Sequence, residues 1–387
     1  MESELSLAKR DIGSDGGSGG GSGEDSRGSC HLTLPAGKWC LHRPLAGQYS
    51  HRPLGARGPH PGLPMSNYLI KRLLLVFPTV VGAAILVFLL MRLVPGDICE
   101  VSLSGEGMGV SEGAIEDCRE ALGLNRPLSA QFADMLAGFA TFELGNSMWT
   151  GRPITHELGL RFELTLQLAL MTVVISVLIG LPLGVISAVK RQTLVDYAVR
   201  TFAIAGEAIP SFWLGIIIIL AMLIATHHFL GEPWMQPIVY VPIWEDPVDN
   251  LVQLLLPAIA TGYRSSAVLT RMTRSAMLEV LREDYIRTAR AKGLVEGVIR
   301  RRHALKNALL PVVTLIGLEL AFLIGGLVVT EQVFNLNGLG QLFVDAVELK
   351  DYSLVQAMVM IVVLVFVTVN LIVDVLYAWL DPRIHYS

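Results

Sequence analysis

From residue 73 onward the chain alternates long uncharged apolar runs with short polar connections. Residues 73–91 form a run of 19, residues 164–189 a run of 26 and residues 208–226 a run of 19. Residues 352–373 give another 22, and residues 307–330 are apolar apart from Glu319. A bilayer core about 30 Å thick is crossed by about 20 helical residues rising ~1.5 Å each. Each run is therefore long enough to span. A sixth stretch, from residue 251 to about 275, is interrupted by Arg264 and Arg271, and its arginine-bearing end is expected to project beyond the membrane. The pattern predicts an all-α polytopic membrane protein with six transmembrane helices. Pro78, Pro182, Pro210, Pro257 and Pro311 fall in or beside these runs, where kinks and helix starts are tolerated because neighbouring helices re-satisfy the freed carbonyls.

The connections set the expected orientation. Between Arg264 and Lys306 there are 11 Lys/Arg and four acids, Glu279, Glu283, Asp284 and Glu296. Lys71 and Arg72 precede the first run, and Lys190, Arg191 and Arg200 follow the second. The alternate connections are acidic, with Glu232, Glu245, Asp246 and Asp249 in one and Glu331, Asp345, Glu348 and Asp351 in the other. Positive loops stay inside, so both ends are expected in the cytoplasm. The stretch 95–160 then becomes an extracytoplasmic segment after helix 1 (65–94). A core with helices 2–6 covers 161–380, with a basic loop at 279–306 and a short cytoplasmic end at 381–387.

Composition agrees. Hydrophobic residues make up 52% and charged residues 17%, and the mean hydropathy is +0.54. That balance excludes an ordinary soluble domain. The formal net charge of −4 adds little, because the charges are unevenly placed. Residues 1–64 differ, with a Gly/Ser run at 13–23 and no apolar periodicity. They are expected to form a disordered tail, a linker, or sequence ahead of a natural start at Met65. Four cysteines (Cys30, Cys40, Cys99, Cys118) show no CxxC spacing and no metal cluster is expected. Cys99 and Cys118 share the segment expected to face an oxidising compartment, where they either pair or leave Cys118 as a small core residue. Residues 111–122 have helical character, with Ile115, Cys118 and Leu122 on one face. His227 and His228 are expected at an interface. No phosphate-cradling Gly-x-x-x-x-Gly-Lys motif and no nucleophile–base arrangement is present, so no catalytic residue and no cofactor is expected.

The basic loop carries the most specific signal. Asp284-Tyr-Ile-Arg-Thr-Ala-Arg-Ala-Lys-Gly293 reads as a short helix with acids at its positive end. Ala289, Gly293 and Gly297 recur every four residues and are expected on one small-residue face, although Gly293 also suits a helix end. His303-Ala-Leu-Lys306 and Pro311 follow. Together they resemble the coupling loop of ABC importer permeases of the dipeptide/oligopeptide/nickel, binding-protein-dependent branch. Further motifs run in the same order: Leu93-Val-Pro-Gly-Asp97, Leu122-Gly-Leu-Asn-Arg-Pro-Leu128 and Leu144-Gly-Asn-Ser-Met-Trp-Thr-Gly-Arg-Pro-Ile154. Glu331-Gln-Val-Phe-Asn-Leu-Asn-Gly-Leu-Gly340, Asp351-Tyr352 and Tyr377-Ala-Trp-Leu-Asp-Pro-Arg383 complete the set. Glu163 departs from the pattern, standing where the family often has proline.

The resemblance covers about 65–387. It implies a permease in a bacterial or archaeal inner membrane, a second related permease, two ATPase subunits and an extracytoplasmic substrate-binding protein. Nothing implies a nucleic-acid partner. The implied cargo is di- or oligopeptide, with nickel, glutathione or opines as alternatives. A stand-alone secondary transporter would show internal repeats and several intramembrane charges. The loop residues Asp284, Tyr285, Arg287, Ala289, Arg290, Gly293 and His303 are expected at the ATPase contact, with Ala289 and Gly293 seated in its groove. Glu319 either lines the path or is paired inside the bundle. A variant beginning at Met65 is expected to insert and transport like the full chain. Quantitative membrane blots and substrate uptake check this, and loss of uptake at equal abundance contradicts it.

Overall fold

A computed structural model describes residues 65–93, 96, 98–104, 112–237 and 239–380. The expected tail at 1–64 and the end at 381–387 lie outside these residues. The regular elements described are helices: α1 (Met65–Leu93), α2 (Ile98–Ser104), α3 (Glu112–Ala121), α4 (Leu128–Thr141), α5 (Ile154–Val189), α6 (Leu194–Ala208) and α7 (Ser211–Leu230). There follow α8 (Pro247–Val280), α9 (Asp284–Ala291), α10 (Glu296–Val298), a π-helical turn (Ile299–Ala304), α11 (Leu305–Gly326), α12 (Val328–Val333), α13 (Leu339–Glu348) and α14 (Tyr352–Leu380). The arginine-rich end of the bundle, which carries α9, is called the basic end here, and the opposite one the far end.

Among the described residues, five helices are long and apolar enough to cross a membrane: Arg72–Leu93, Ile154–Val189, Ser211–Leu230, Glu296–Gly326 and Tyr352–Leu376. The expected sixth, α8, is a continuous helix of 34 residues but is too polar to qualify on composition. Its position explains the polarity. It packs along α5 over the most extensive helix–helix contact among the described residues and also touches α6, α7 and α11. Asn250, Gln253, Ser265, Ser266, Thr270 and Thr273 are all buried there. A helix enclosed by protein has no need of an apolar surface towards lipid. Helix α6 is a second departure, because residues 194–208 read as a connection in the sequence. It packs on α8 before the chain turns at Pro210 into α7.

Glycines bring α5 and α8 together. A Cβ at Gly184 would sit 2.6 Å from the Thr273 Cβ and 2.8 Å from the Thr270 carbonyl oxygen. One at Gly180 would sit 2.8 Å from the Ser266 carbonyl oxygen, and one at Gly262 would meet Ile175 at 3.0 Å. Gly180 and Gly184 have the four-residue spacing that lets membrane helices approach backbone to backbone. The register places Arg264 level with residues 175–180 of α5, the middle of the uncharged run 164–189.

Two buried carboxylates lock the far end. Glu331 is fully buried and accepts hydrogen bonds from Thr165 Oγ1 (2.7 Å) and the Gln341 N–H (3.1 Å). The second bond places its charge at the start of α13, where the helix dipole favours an anion. Gly338 packs directly on the Glu331 carboxylate, and a Cβ at Gly340 would lie 2.6 Å from the Val328 Cα. Only glycine fits at 338 and 340. Asp351 caps α14 through the Leu354 N–H (3.1 Å) and accepts from Ser147 Oγ (2.5 Å) and the Trp149 N–H (3.3 Å). The 144–154 turn is thereby pinned to the start of α14. Cys99 and Cys118 form a disulfide between α2 and α3. Glu163 lies within the uninterrupted first half of α5, its Oε1 2.8 Å from the Tyr240 hydroxyl.

Gly184→Leu should overpack the α5–α8 seam and destabilise the bundle by about 1–3 kcal/mol or more. Gly82→Leu on α1, where nothing lies within 4 Å, should leave stability unchanged. Thermal unfolding of the detergent-solubilised proteins checks this pair, and equal midpoints contradict it.

Candidate functional site

The basic end is built around α9. Helix α8 ends at Val280, the chain turns, and α9 begins at Asp284. Ile286 and Ala289, three residues apart, point inward and are 0% and 8% exposed. They join Ala188, Ala276, Met277, Ile299, Ala304 and Ala308 in one cluster that draws on α5, α8, α9, the π-helical turn and α11. Asp284, Tyr285, Arg287, Thr288 and Arg290 face outward. Arg287 pairs with Asp284 at 3.2 Å and Arg290 with Glu296 at 2.7 Å. Such exposed pairs contribute about 0–1 kcal/mol and leave the guanidinium groups free to exchange partners.

Two attachments fix α9 to the helix that follows. The Asn307 amide donates to the Tyr285 hydroxyl at 2.7 Å. That hydroxyl lies 3.5 Å from the His303 carbonyl oxygen. His303 belongs to the π-helical turn, a wider helical form that recurs at functional sites. Its side chain is half-buried.

Gly293 has a different role from the one its spacing suggested. Its φ is +79°, and α9 has already ended at Ala291. The Gly293 N–H donates to the Arg290 carbonyl (2.9 Å) and the Leu294 N–H to the Ala289 carbonyl (3.3 Å). This is a Schellman stop, the glycine supplying the left-handed residue. Ala289, Gly293 and Gly297 therefore do not form one open helical face. Ala289 is turned into the chain's own core, and Gly293 sits past the helix end with open space around it. The exposed surface of α9 is polar and carries Tyr285, Arg287 and Arg290.

Just above α9 lies an ion pair that sequence reading missed. Asp196 of α6 is 1% exposed. It accepts from Arg274 Nε (2.9 Å) and Nη2 (3.0 Å), from Ser187 Oγ (2.5 Å) and from the Gln192 N–H (3.0 Å). The bidentate Arg274 holds its carboxyl well below the usual carboxylate range, so the pair stays ionised at physiological pH. Three helices, α5, α6 and α8, meet at this one carboxylate. The only sequence signal was Thr193-Leu-Val-Asp196, a helix-start pattern, which locates α6 but says nothing of Arg274.

At mid-depth, Glu319 of α11 is half-buried and accepts from Ser265 Oγ at 3.1 Å. Arg264, beside Ser265 on α8, is exposed.

Comparison with known proteins places these features. Residues 180–386 match the family model described as "Binding-protein-dependent transport system inner membrane component". The glutathione transport system permease protein GsiC of Pectobacterium atrosepticum is 40% identical over 323 residues, 84% of this chain and 100% of its own. The dipeptide transport system permease protein DppB of Alkalihalophilus pseudofirmus is 35% identical over 350 residues, 83% of this chain and 100% of its own. A chain from an inward-facing structure of the MetNI methionine ABC transporter aligns with a TM-score of 0.45 and 20% identity, over 59% of this chain and 98% of that one. Match and coverage together settle the assignment: this chain belongs to the family of inner-membrane components of binding-protein-dependent transport systems.

Proposed function

We propose that the chain is one of two permease subunits of an ATP-driven importer of short peptides, glutathione among them. The observation that carries the cargo is the pair of full-length relatives, one named for glutathione and one for dipeptides. Glutathione is a tripeptide, so the two share one chemistry. Two ATPase subunits work at the basic end, a second related permease lines the path, and a binding protein delivers cargo at the far end. The Lys/Arg excess around α9 supports a cytoplasmic basic end. The Cys99–Cys118 disulfide supports an oxidising far side.

The mechanism follows from how α9 is held. Its outward face, Asp284, Tyr285, Arg287 and Arg290, meets the ATPase. Its inward face, Ile286 and Ala289, is welded to α5, α8 and α11. When the ATPases close on nucleotide, the push enters through α9. The Asp196–Arg274 pair and the glycine seam of α5 and α8 pass it on as a rigid-body movement, which opens the path alternately to each side.

Uptake of radiolabelled dialanine by cells making the complete transporter, with glutathione as competitor, tests the cargo. Transport of neither compound overturns it. Gly293→Val forces a β-branched residue to φ +79°, at about 1–3 kcal/mol of strain. It should lower uptake about tenfold or more while ATPase activity and membrane abundance persist, whereas unchanged uptake contradicts the coupling role. Arg274→Ala leaves Asp196 buried without its counter-charge. It should destabilise the basic end by about 3 kcal/mol, read as a lowered unfolding midpoint, and an unchanged midpoint contradicts the pairing.

A further inference from the structure

We propose that Arg264 and Glu319 form a substrate subsite at mid-membrane depth, Arg264 receiving the carboxylate and Glu319 the ammonium of a short zwitterionic peptide. The proposal rests on the peptide-importer reading above and adds to it a place within the path.

The arginines of α8 divide into two kinds. Arg271 has Glu207 at 2.6 Å and Arg274 has Asp196 at 2.9 Å. Arg264 has no carboxylate within ion-pair distance among the described residues, and it is exposed. It stands seven residues, about 10 Å, deeper than Arg271, level with the centre of the uncharged run of α5. Gly262 against Ile175 and Gly180 against Leu269 fix that level. An exposed charge at this depth is strongly disfavoured against lipid, and a side chain so far from either end does not snorkel out. It must face water or a polar partner.

The second half of the site is Glu319. The Ser265 hydroxyl, adjacent to Arg264, holds Glu319 Oε2 at 3.1 Å, which ties the two charges to one level of α8 and α11. Among the described residues they do not close into an ion pair. A bundle that needed only neutralisation would let them meet. Two opposite charges held apart and partly open match a ligand that carries both signs. A peptide with free termini has one ammonium and one carboxylate, and glutathione has an ammonium and two carboxylates. An apolar solute or a bare cation would leave Arg264 unsatisfied.

The test uses the complete transporter in native membranes. Cys30 and Cys40 are replaced by serine and the Cys99–Cys118 disulfide is retained. Arg264→Cys is then exposed to a membrane-impermeant methanethiosulfonate. Labelling is expected, slowed about threefold or more by saturating dialanine. Arg264→Gln and Glu319→Gln should each cut dialanine uptake about ten- to hundredfold, the loss of one charge-assisted contact. Phe322→Leu, on the exposed side of α11, should leave uptake unchanged. No labelling in any nucleotide state overturns the proposal and places Arg264 against the second permease. Labelling that dialanine does not slow also overturns it, since the path is then wet but the site is not occupied. Should the wild-type transporter carry no peptide at all, the importer reading fails instead, and labelling of Arg264→Cys still reports whether the position faces water.

Discussion

Everything in this permease hangs on the backbone-close contact between α5 and α8. In a bilayer, apolar surface gives helices no reason to prefer one another to lipid. What holds them is close van der Waals fit, and here the fit is made by removing side chains at Gly180, Gly184 and Gly262. Once α8 is drawn in, its Asn, Gln, Ser and Thr side chains are shielded, and Arg271 and Arg274 reach Glu207 and Asp196 on α6. The polarity that disqualifies α8 as a lipid-facing helix is a result of its central place.

The same contact gives the basic end its stiffness. Helix α9 is short, with eight residues, and has little stability of its own. It is ordered by two inward side chains, a tyrosine attachment and a glycine stop. The inward side chains and the tyrosine connect it to α5, α8, the π-helical turn and α11, whereas the glycine stop closes α9 on its own carbonyls. A force on the exposed face of α9 therefore has few soft places to dissipate before it reaches the membrane helices.

Much of this was legible in the sequence, and the omissions have physical causes. Apolar runs located five spans, because length and lack of charge are strong constraints in lipid, although the helices at Ile154–Val189 and Glu296–Gly326 begin well before their uncharged runs. Motif order identified the family, which the relatives bear out. Helix α6 was missed because its buried aspartate and its arginine made it look like a loop. The four-residue spacing of Ala289, Gly293 and Gly297 suggested one helical face, whereas Gly293 ends the helix. Spacing carries no information on φ, and a glycine serves close packing and left-handed backbone equally well. The Asp196–Arg274 pair joins residues 78 apart, and no local pattern encodes a partner at that distance.

That separation also bears on how the chain is made. Asp196 enters the nascent bundle with α6, and its counter-charge follows only when Arg274 has been added. At roughly 5–20 residues per second, translation takes ~4–16 s to close the gap. During that interval a carboxylate destined for burial has no guanidinium to meet. The insertion machinery must keep α6 near water, or near itself, until α8 arrives. The order of synthesis thus makes α6 wait on α8, and the stretch from α6 to α8 is best regarded as a single unit of membrane insertion.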